Sequence, residues 1–331
     1  MKHPPYHLRH NKAVDRFLLV EALRIMGEEF HLSDYVYIGL GGPFLEDCRL
    51  ISEYFPEIAI ESLEEDAETF KRQQFHRFSS RIILLNSKLS DFIKTYTPDQ
   101  KVIFWLDYTD LKMQNFDDFM NLLTRVPDYS IVKLTLRSQL ENGNPFQLTL
   151  DSTSNPELIA KQKKSFRDNF ELQYGAILPA SIDDSAFQRS AKFVELIQQM
   201  IRLAAAKALP SESNRSFCLV NSAYYSDSTN MFSATGIITP REDEKRIESL
   251  FKTWPYSCIK REEPFHIDLP ILSVKERLTL ERYLPLGKTT GSKLLNVLKY
   301  QIDKNNKTSL RKMQQYDSFH KYYPYFAKVV V

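Results

Sequence analysis

Tyr35-Val36-Tyr37-Ile38-Gly39-Leu40-Gly41-Gly42-Pro43-Phe44 is the stretch that decides the fold. Four strand-forming residues run straight into three glycines. Such a bend between a strand and a helix brings backbone close to a ligand, and the helix start beyond it offers N–H groups with no intrahelical partner. Pro43 suits a first helical position, where its missing N–H costs nothing. Phe44, Cys48, Ile51 and Phe55 then recur at helical spacing, which predicts a helix over 44–55 with one face against a sheet.

Outward from the bend, strand and helix alternate. Short apolar runs predict strands at 35–38, 58–61, 82–85, 102–106 and 130–136, with helices at 44–55, 63–75, 89–96 and 115–125. Right-handed crossovers then give five parallel strands covered on both faces. Residues 138–184 break this rhythm and read as an insertion, a cap over the site or a surface for a protein partner. A long helix is expected over 184–209, with Asp184 as N-cap. Strands at 217–223 and 231–239 have no room for a helix between them and should pair as an antiparallel hairpin. The fold class is therefore α/β, with the layout of a Rossmann-like methyltransferase sheet. A leader and helix over 1–34 precede this domain at 35–244, and a mostly helical subdomain follows at 245–331.

The chain has 331 residues, 43% hydrophobic and 26% charged, which is the composition of a globular protein with a sizeable core. A net charge of +2 gives no global attraction to nucleic acid. No apolar run approaches the roughly 20 residues a membrane helix needs. Three scattered cysteines, Cys48, Cys218 and Cys258, read as free thiols, so the expected compartment is the cytoplasm.

Glu61 lies at the expected end of the second strand, where a carboxylate can accept both hydroxyls of an adenosyl ribose. The alternative is a solvated strand end, with Glu64, Glu65 and Asp66 complementing a helix dipole. A dinucleotide fingerprint beginning at Gly39 would place its third glycine at position 44, which is Phe44, and no phosphate loop is present. S-adenosylmethionine carries no phosphate and needs only the sharp bend, so Gly39, Gly41, Gly42 and Glu61 are assigned to that cofactor. Ser87, after the third strand, is a candidate adenine contact or else a helix cap.

Val102-Ile103-Phe104-Trp105-Leu106 leads into Asp107-Tyr108-Thr109-Asp110 at the carboxyl end of a central strand. Methyl transfer requires alignment and a way to remove the acceptor's proton. Asp107 is the candidate base or partner of the methionyl ammonium, and Tyr108 the candidate wall of the acceptor site. Asp110 or Thr109 would cap the next helix.

Together these features resemble the class I S-adenosylmethionine-dependent methyltransferases. More narrowly, the chain is similar to uncharacterised bacterial proteins labelled "putative O-methyltransferases". The resemblance rests on residues 6–16 (with Leu8-Arg9-His10-Asn11-Lys12), residues 37–47, Arg72-Gln73-Gln74-Phe75 and Phe104-Trp105-Leu106-Asp107-Tyr108, and covers the first 240 residues or so. It implies the fold and the cofactor, and brings Asn11 and Lys12 over the site, Lys12 as a catalytic candidate. The bend departs from the usual acidic form, because Tyr37 stands where an acidic residue would be.

His3, His7 and His10 lack companion ligands at metal spacing, so no metal is expected. Lys304, Lys307, Arg311 and Lys312, followed by Tyr316, Tyr322, Tyr323 and Tyr325, form either an RNA-contacting surface or a solvated charge run over tyrosines that pack a subdomain. Three functions compete: O-methyl transfer to an unidentified acceptor, a non-catalytic nucleotide- or protein-binding component of a multi-protein system, and RNA methylation.

Overall fold

A computed structural model describes residues 9–139, 144–147, 155–259, 261, 263–285 and 290–324. The leader with His3 and His7, parts of the 138–184 segment and Tyr325 lie outside these residues. The elements in chain order are α1 (His10–Met26), β1 (Tyr35–Gly39), α2 (Glu46–Tyr54), β2 (Ala59–Glu64), α3 (Ala67–His76), β3 (Ile82–Asn86), α4 (Leu89–Thr95) and β4 (Lys101–Asp107). Then come α5 (Met113–Arg125), β5 (Ile131–Arg137), α6 (Pro156–Tyr174), α7 (Ser185–Gln188), α8 (Ser190–Ala208), β6 (Arg215–Ser226), β7 (Asn230–Pro240) and α9 (Glu244–Phe251). The chain closes with β8 (Phe265–Ile267), α10 (Val274–Glu281), α11 (Thr290–Leu298) and α12 (Asn306–Phe319).

The sheet order is β3-β2-β1-β4-β5-β7-β6-β8. The first five strands are parallel and β7 runs antiparallel to β5, with Lys133 opposite Thr235. The chain leaves β1 for β2 and β3 and then returns to β1's other side for β4. That reversal opens a crevice at the carboxyl ends of β1 and β4.

By contacts the chain divides into two compact units, cutting across the sequence order in which the leader, sheet and C-terminal segment follow one another. The larger comprises Val20–Tyr224 and Asn230–Phe265. Within it, alternation along the strands sends Val36, Ile38, Phe104 and Leu134 into one apolar cluster with Phe116 and Phe119 of α5 and Ile197 of α8. Tyr35, Tyr37 and Trp105 are out of phase with that set and buried.

The smaller unit comprises residues up to Leu19, Tyr225–Thr229 and His266 onward. Tyr316, Phe319, Met313 and Leu280 are fully buried in it. The tyrosines thus take the packing role: Tyr316 and Tyr323 are buried and Tyr322 stacks on Phe17 at 4.2 Å. Arg311 pairs with Asp268 at 2.5 Å and Lys312 with Asp303 at 2.7 Å, so half of the basic run is neutralised within the unit.

Four element boundaries differ from expectation. The helix after the bend begins at Glu46, because Gly42–Phe44 form a separate 3₁₀ turn and Leu45 takes a left-handed φ of 54°. Strand β2 runs on to Glu64, so α3 starts only at Ala67, capped by the Asp66 carboxylate on the Thr69 N–H. The helix expected over 184–209 breaks at Arg189, whose extended backbone separates α7 from α8. The 138–184 segment contains α6, started by Pro156 with the Asn155 side chain accepting the N–H groups of Glu157 and Leu158. All three cysteines are free and buried. Among the described residues no helix is long and apolar enough to cross a membrane.

Candidate active site

The bend after β1 is built by three residues with positive φ: Gly41 at 60°, Gly42 at 55° and Leu45 at 54°. A side chain at Gly41 would also meet Ser62 Oγ at 2.5 Å and Leu45 Cδ2 at 2.9 Å. Glycine is thus required there on two grounds. At Gly42 nothing lies within 4 Å of where a Cβ would be, so the bend is open on that side. At Gly39 the space is taken by Tyr37, whose hydroxyl oxygen would sit 2.6 Å from a Cβ. The residue standing in the acidic position therefore lays its phenol along the strand, over the first glycine.

Gln73 of α3 braces this bend, a role no sequence signal assigned to it. Its side chain is fully buried, and its Nε2 donates to the carbonyls of Leu40 (2.9 Å) and Gly42 (3.0 Å). Its Oε1 accepts a longer bond, 3.4 Å, from Ser62 Oγ. A primary amide has two N–H groups, and here each answers one carbonyl of the turn.

The carboxylate at the end of β2 is Glu64, not Glu61. In the β1–β2 register Glu61 lies opposite Ile38, inside the ladder, while Ser62, Leu63 and Glu64 continue the strand. Glu61 is thus about 10 Å short of the strand's carboxyl end. It is half-buried, its pKa raised by desolvation; Tyr96, just beyond α4, is raised first by its own burial and further by the Glu61 charge. Glu64 Oε1 accepts the Asp66 N–H at 2.9 Å. Desolvation pushes the Glu64 carboxyl above its ordinary value, partly offset by that bond. The Glu64 carbonyl in turn accepts Asn86 Nδ2 (2.7 Å) and the Ser87 N–H (3.1 Å), tying the ends of β2 and β3 together. Ser87 does not cap α4: the N-cap is Lys88, and the Ser87 hydroxyl donates to the Lys88 carbonyl.

Asp107 is the last residue of β4, opposite Thr135 of β5. Phe104 pairs with Ile38 of β1, so Asp107 emerges three residues further on, about 10 Å along the strand, level with the glycine bend. The Tyr108 N–H donates to the Thr135 carbonyl at 3.0 Å. Its hydroxyl donates to Asp118 Oδ2 at 2.9 Å, an oxygen that also accepts from Ser90 at 2.7 Å. Burial, reinforced by Asp118, pushes the Tyr108 phenol far up, so it stays protonated. Asp110 holds the start of α5 through Asn115 Nδ2 (2.8 Å) and pairs with Lys112 at 2.5 Å. Desolvation acts to raise its pKa, but those two partners hold it below the usual range.

Lys12 and Asn11 belong to the smaller unit. Asn11 is a structural tie: its Nδ2 donates to the Ser226 carbonyl (3.0 Å) and its Oδ1 accepts the Leu269 N–H (2.9 Å). The Lys12 N–H donates to Asp227 Oδ2 at 2.9 Å, and its side chain is buried. His10 lies beside Asp227 and stacks on Tyr323.

The family described as "Putative O-methyltransferase" matches residues 4–331. A search of curated proteins finds no match. Among solved structures, the plantazolicin methyltransferase BpumL in complex with SAH is 10% identical, with 68% of this chain and 84% of that one covered and a TM-score of 0.37. The N-methyltransferase NodS from Bradyrhizobium japonicum WM9 is 8% identical, covering 68% and 96%, with a TM-score of 0.32. A fibrillarin/Nop5p complex is 11% identical, covering 65% and 78%, with a TM-score of 0.33. All three TM-scores are low, and the fold assignment stands on the strand order. The sheet has the strand order of the class I S-adenosylmethionine-dependent methyltransferases, and with a family match along nearly its whole length the chain belongs to the family described as "Putative O-methyltransferase".

Proposed function

We propose that this chain binds S-adenosylmethionine over the ends of β1 and β2 and methylates a hydroxyl oxygen of a small acceptor at the end of β4. The observation that carries this is the carboxylate of Glu64 closing β2 beside a glycine bend that is open at Gly42. The donor set fits an adenosyl group: a carboxylate for the ribose hydroxyls and backbone that a ligand can approach, with no phosphate cradle. Asn86 and Ser87, tied to Glu64's carbonyl, are the residues to meet the adenine.

When bound, the cofactor would supply an activated methyl group, carried on a sulfonium, to the acceptor oxygen. The chain's own task is alignment and proton removal. Asp107, at the carboxyl end of β4, is the group to take the hydroxyl proton. Tyr108 positions this segment, since its hydroxyl is committed to Asp118 and does not ionise. Lys12 is given no step.

Calorimetric titration with S-adenosylmethionine and S-adenosylhomocysteine tests the assignment. Charge-assisted hydrogen bonds contribute about 1.5–3 kcal/mol each. With two such bonds lost, Glu64→Ala should weaken binding by roughly 100-fold or more, while Glu61→Ala leaves it nearly unchanged. The reverse order would return the ribose to Glu61, and no binding by the unaltered protein would remove the proposal.

A further inference from the structure

Beside the ends of β4 and β5 lies a cavity of about 400 Å³, and none of the residues so far given a catalytic or cofactor role lines it. We infer that it is the acceptor pocket and that it takes a single aromatic ring system bearing one anionic group. As a site for the acceptor it rests on the methyl-transfer proposal; the chemistry of its ligand is read from its walls alone.

The position comes first. Arg137 ends β5 two residues beyond Thr135, the register partner of Asp107, and its N–H donates to the Asp110 carbonyl at 3.3 Å. The floor of the cavity is therefore the pair of strand ends where an open sheet places reacting groups. Its volume lies toward the lower end of the range for small-molecule sites, enough for a substituted ring and too little for a polymer.

The opposite wall is α6. Phe166, Asn169, Phe170, Gln173 and Tyr174 recur at three- and four-residue spacing and so share one helix face. Phe166 and Phe170 are parallel to within 12°, and Phe170 meets Tyr174 at 4.7 Å between ring centres. The Tyr174 hydroxyl is spent on the Leu111 carbonyl at 2.8 Å, so this wall offers ring surface, and Phe193 of α8 adds to it. Ring surface of this kind favours a flat, polarisable occupant in offset or edge contact.

Charge supplies the second selection. Lys112 and Asp110 both line the cavity and pair with each other at 2.5 Å, which cancels their charges. Arg137 has no hydrogen-bond or ion-pair partner for its guanidinium among the described residues. Among the described lining residues Arg137 and Lys112 share the single carboxylate of Asp110, whose pKa both lower, so the lining keeps a net positive charge, and the planar fork of Arg137 suits a carboxylate or a similar oxyanion. The amides of Asn169 and Gln173 are left to bind a second polar substituent.

The test is calorimetric binding to the full chain, without cofactor, of three probes of similar size: 4-hydroxybenzoate, 4-hydroxybenzamide and cyclohexanecarboxylate. The expected result is that 4-hydroxybenzoate binds at least about tenfold more tightly than the other two. Arg137→Gln, at an exposed position, should erase the gap between acid and amide. Phe170→Leu should erase the gap between the aromatic and the saturated acid, with circular dichroism confirming that both variants fold. Equal binding of the three probes, no binding of 4-hydroxybenzoate, or variants that keep the full preference would overturn the inference. Preference for the aromatic acid in a protein that does not bind S-adenosylmethionine would leave the pocket standing and remove the methyl-transfer proposal.

Discussion

The bend after β1 and the cavity beneath α6 are made by opposite means. The bend is backbone held by backbone rules: two glycines and a leucine at positive φ, cross-braced by a single amide from Gln73. The cavity is made by side chains, with Phe166 and Phe170 of α6 set against Arg137 at a strand end. The difference teaches where such a protein can vary. Gly41 has no room for a side chain, and one amide serves the carbonyls of Leu40 and Gly42, so change there is costly. The cavity wall is a helix face on which ring size, amides and charge can be exchanged without disturbing the sheet.

Substitutions can break that contrast, and the largest effect belongs to the bend. Gly41→Ala forces a methyl group to within 2.5 Å of Ser62 Oγ and holds a residue with a side chain at φ 60°. Backbone strain of this kind costs about 1–3 kcal/mol, so thermal unfolding should shift downward and cofactor binding should fall with it. A variant as stable and as tight-binding as the parent would show that the bend tolerates what the geometry forbids.

A smaller effect sharpens the contrast by pH. The Glu64 carboxyl is raised by desolvation, and under the proposed assignment only its ionised form accepts from both ribose hydroxyls. Affinity for S-adenosylhomocysteine should thus be constant at higher pH and weaken as pH falls through this raised value, by up to about tenfold per unit. The midpoint should lie above the ordinary glutamate value of about 4.3, and Glu64→Gln should flatten the profile while Glu61→Gln leaves it intact.

The smallest effect lies between the two regions. Tyr108→Phe removes one of the bonds to Asp118, which keeps Ser90 and Gln114. The loss should be about 1 kcal/mol by denaturant titration, with cofactor affinity unchanged.

The same contrast explains what could be read in advance. Buried parallel strands are continuous apolar runs, so Val102–Leu106 and its neighbours were legible almost to the residue. The end of β2 was not, because Ser62 and Glu64 are polar and the apolar run stops before them. Ser62 stays in the strand because its hydroxyl meets Gly41 and Gln73, a partner that only the tertiary structure supplies. Gln73 stood in a segment that carried the resemblance, but its bracing role was hidden for the same reason: that role lies in two carbonyls more than thirty residues away in sequence. Helix α6 did carry signals, in Asn155-Pro156 at its start and in the spacing of Phe166, Phe170 and Tyr174. The polar residues flanking it in sequence obscured them.

The buried thiols carry a consequence of their own. Cys48 sits in α2 against Ser62, its pKa pushed up to about 12 by burial, while Cys218 and Cys258 lie on and beside the hairpin strand β6 with values of about 12 and 11. A closed molecule therefore presents almost no thiolate to an alkylating reagent. Labelling of each sulfur becomes a clock for transient opening at its own location, one hand set beside the glycine bend and two on the far flank of the sheet.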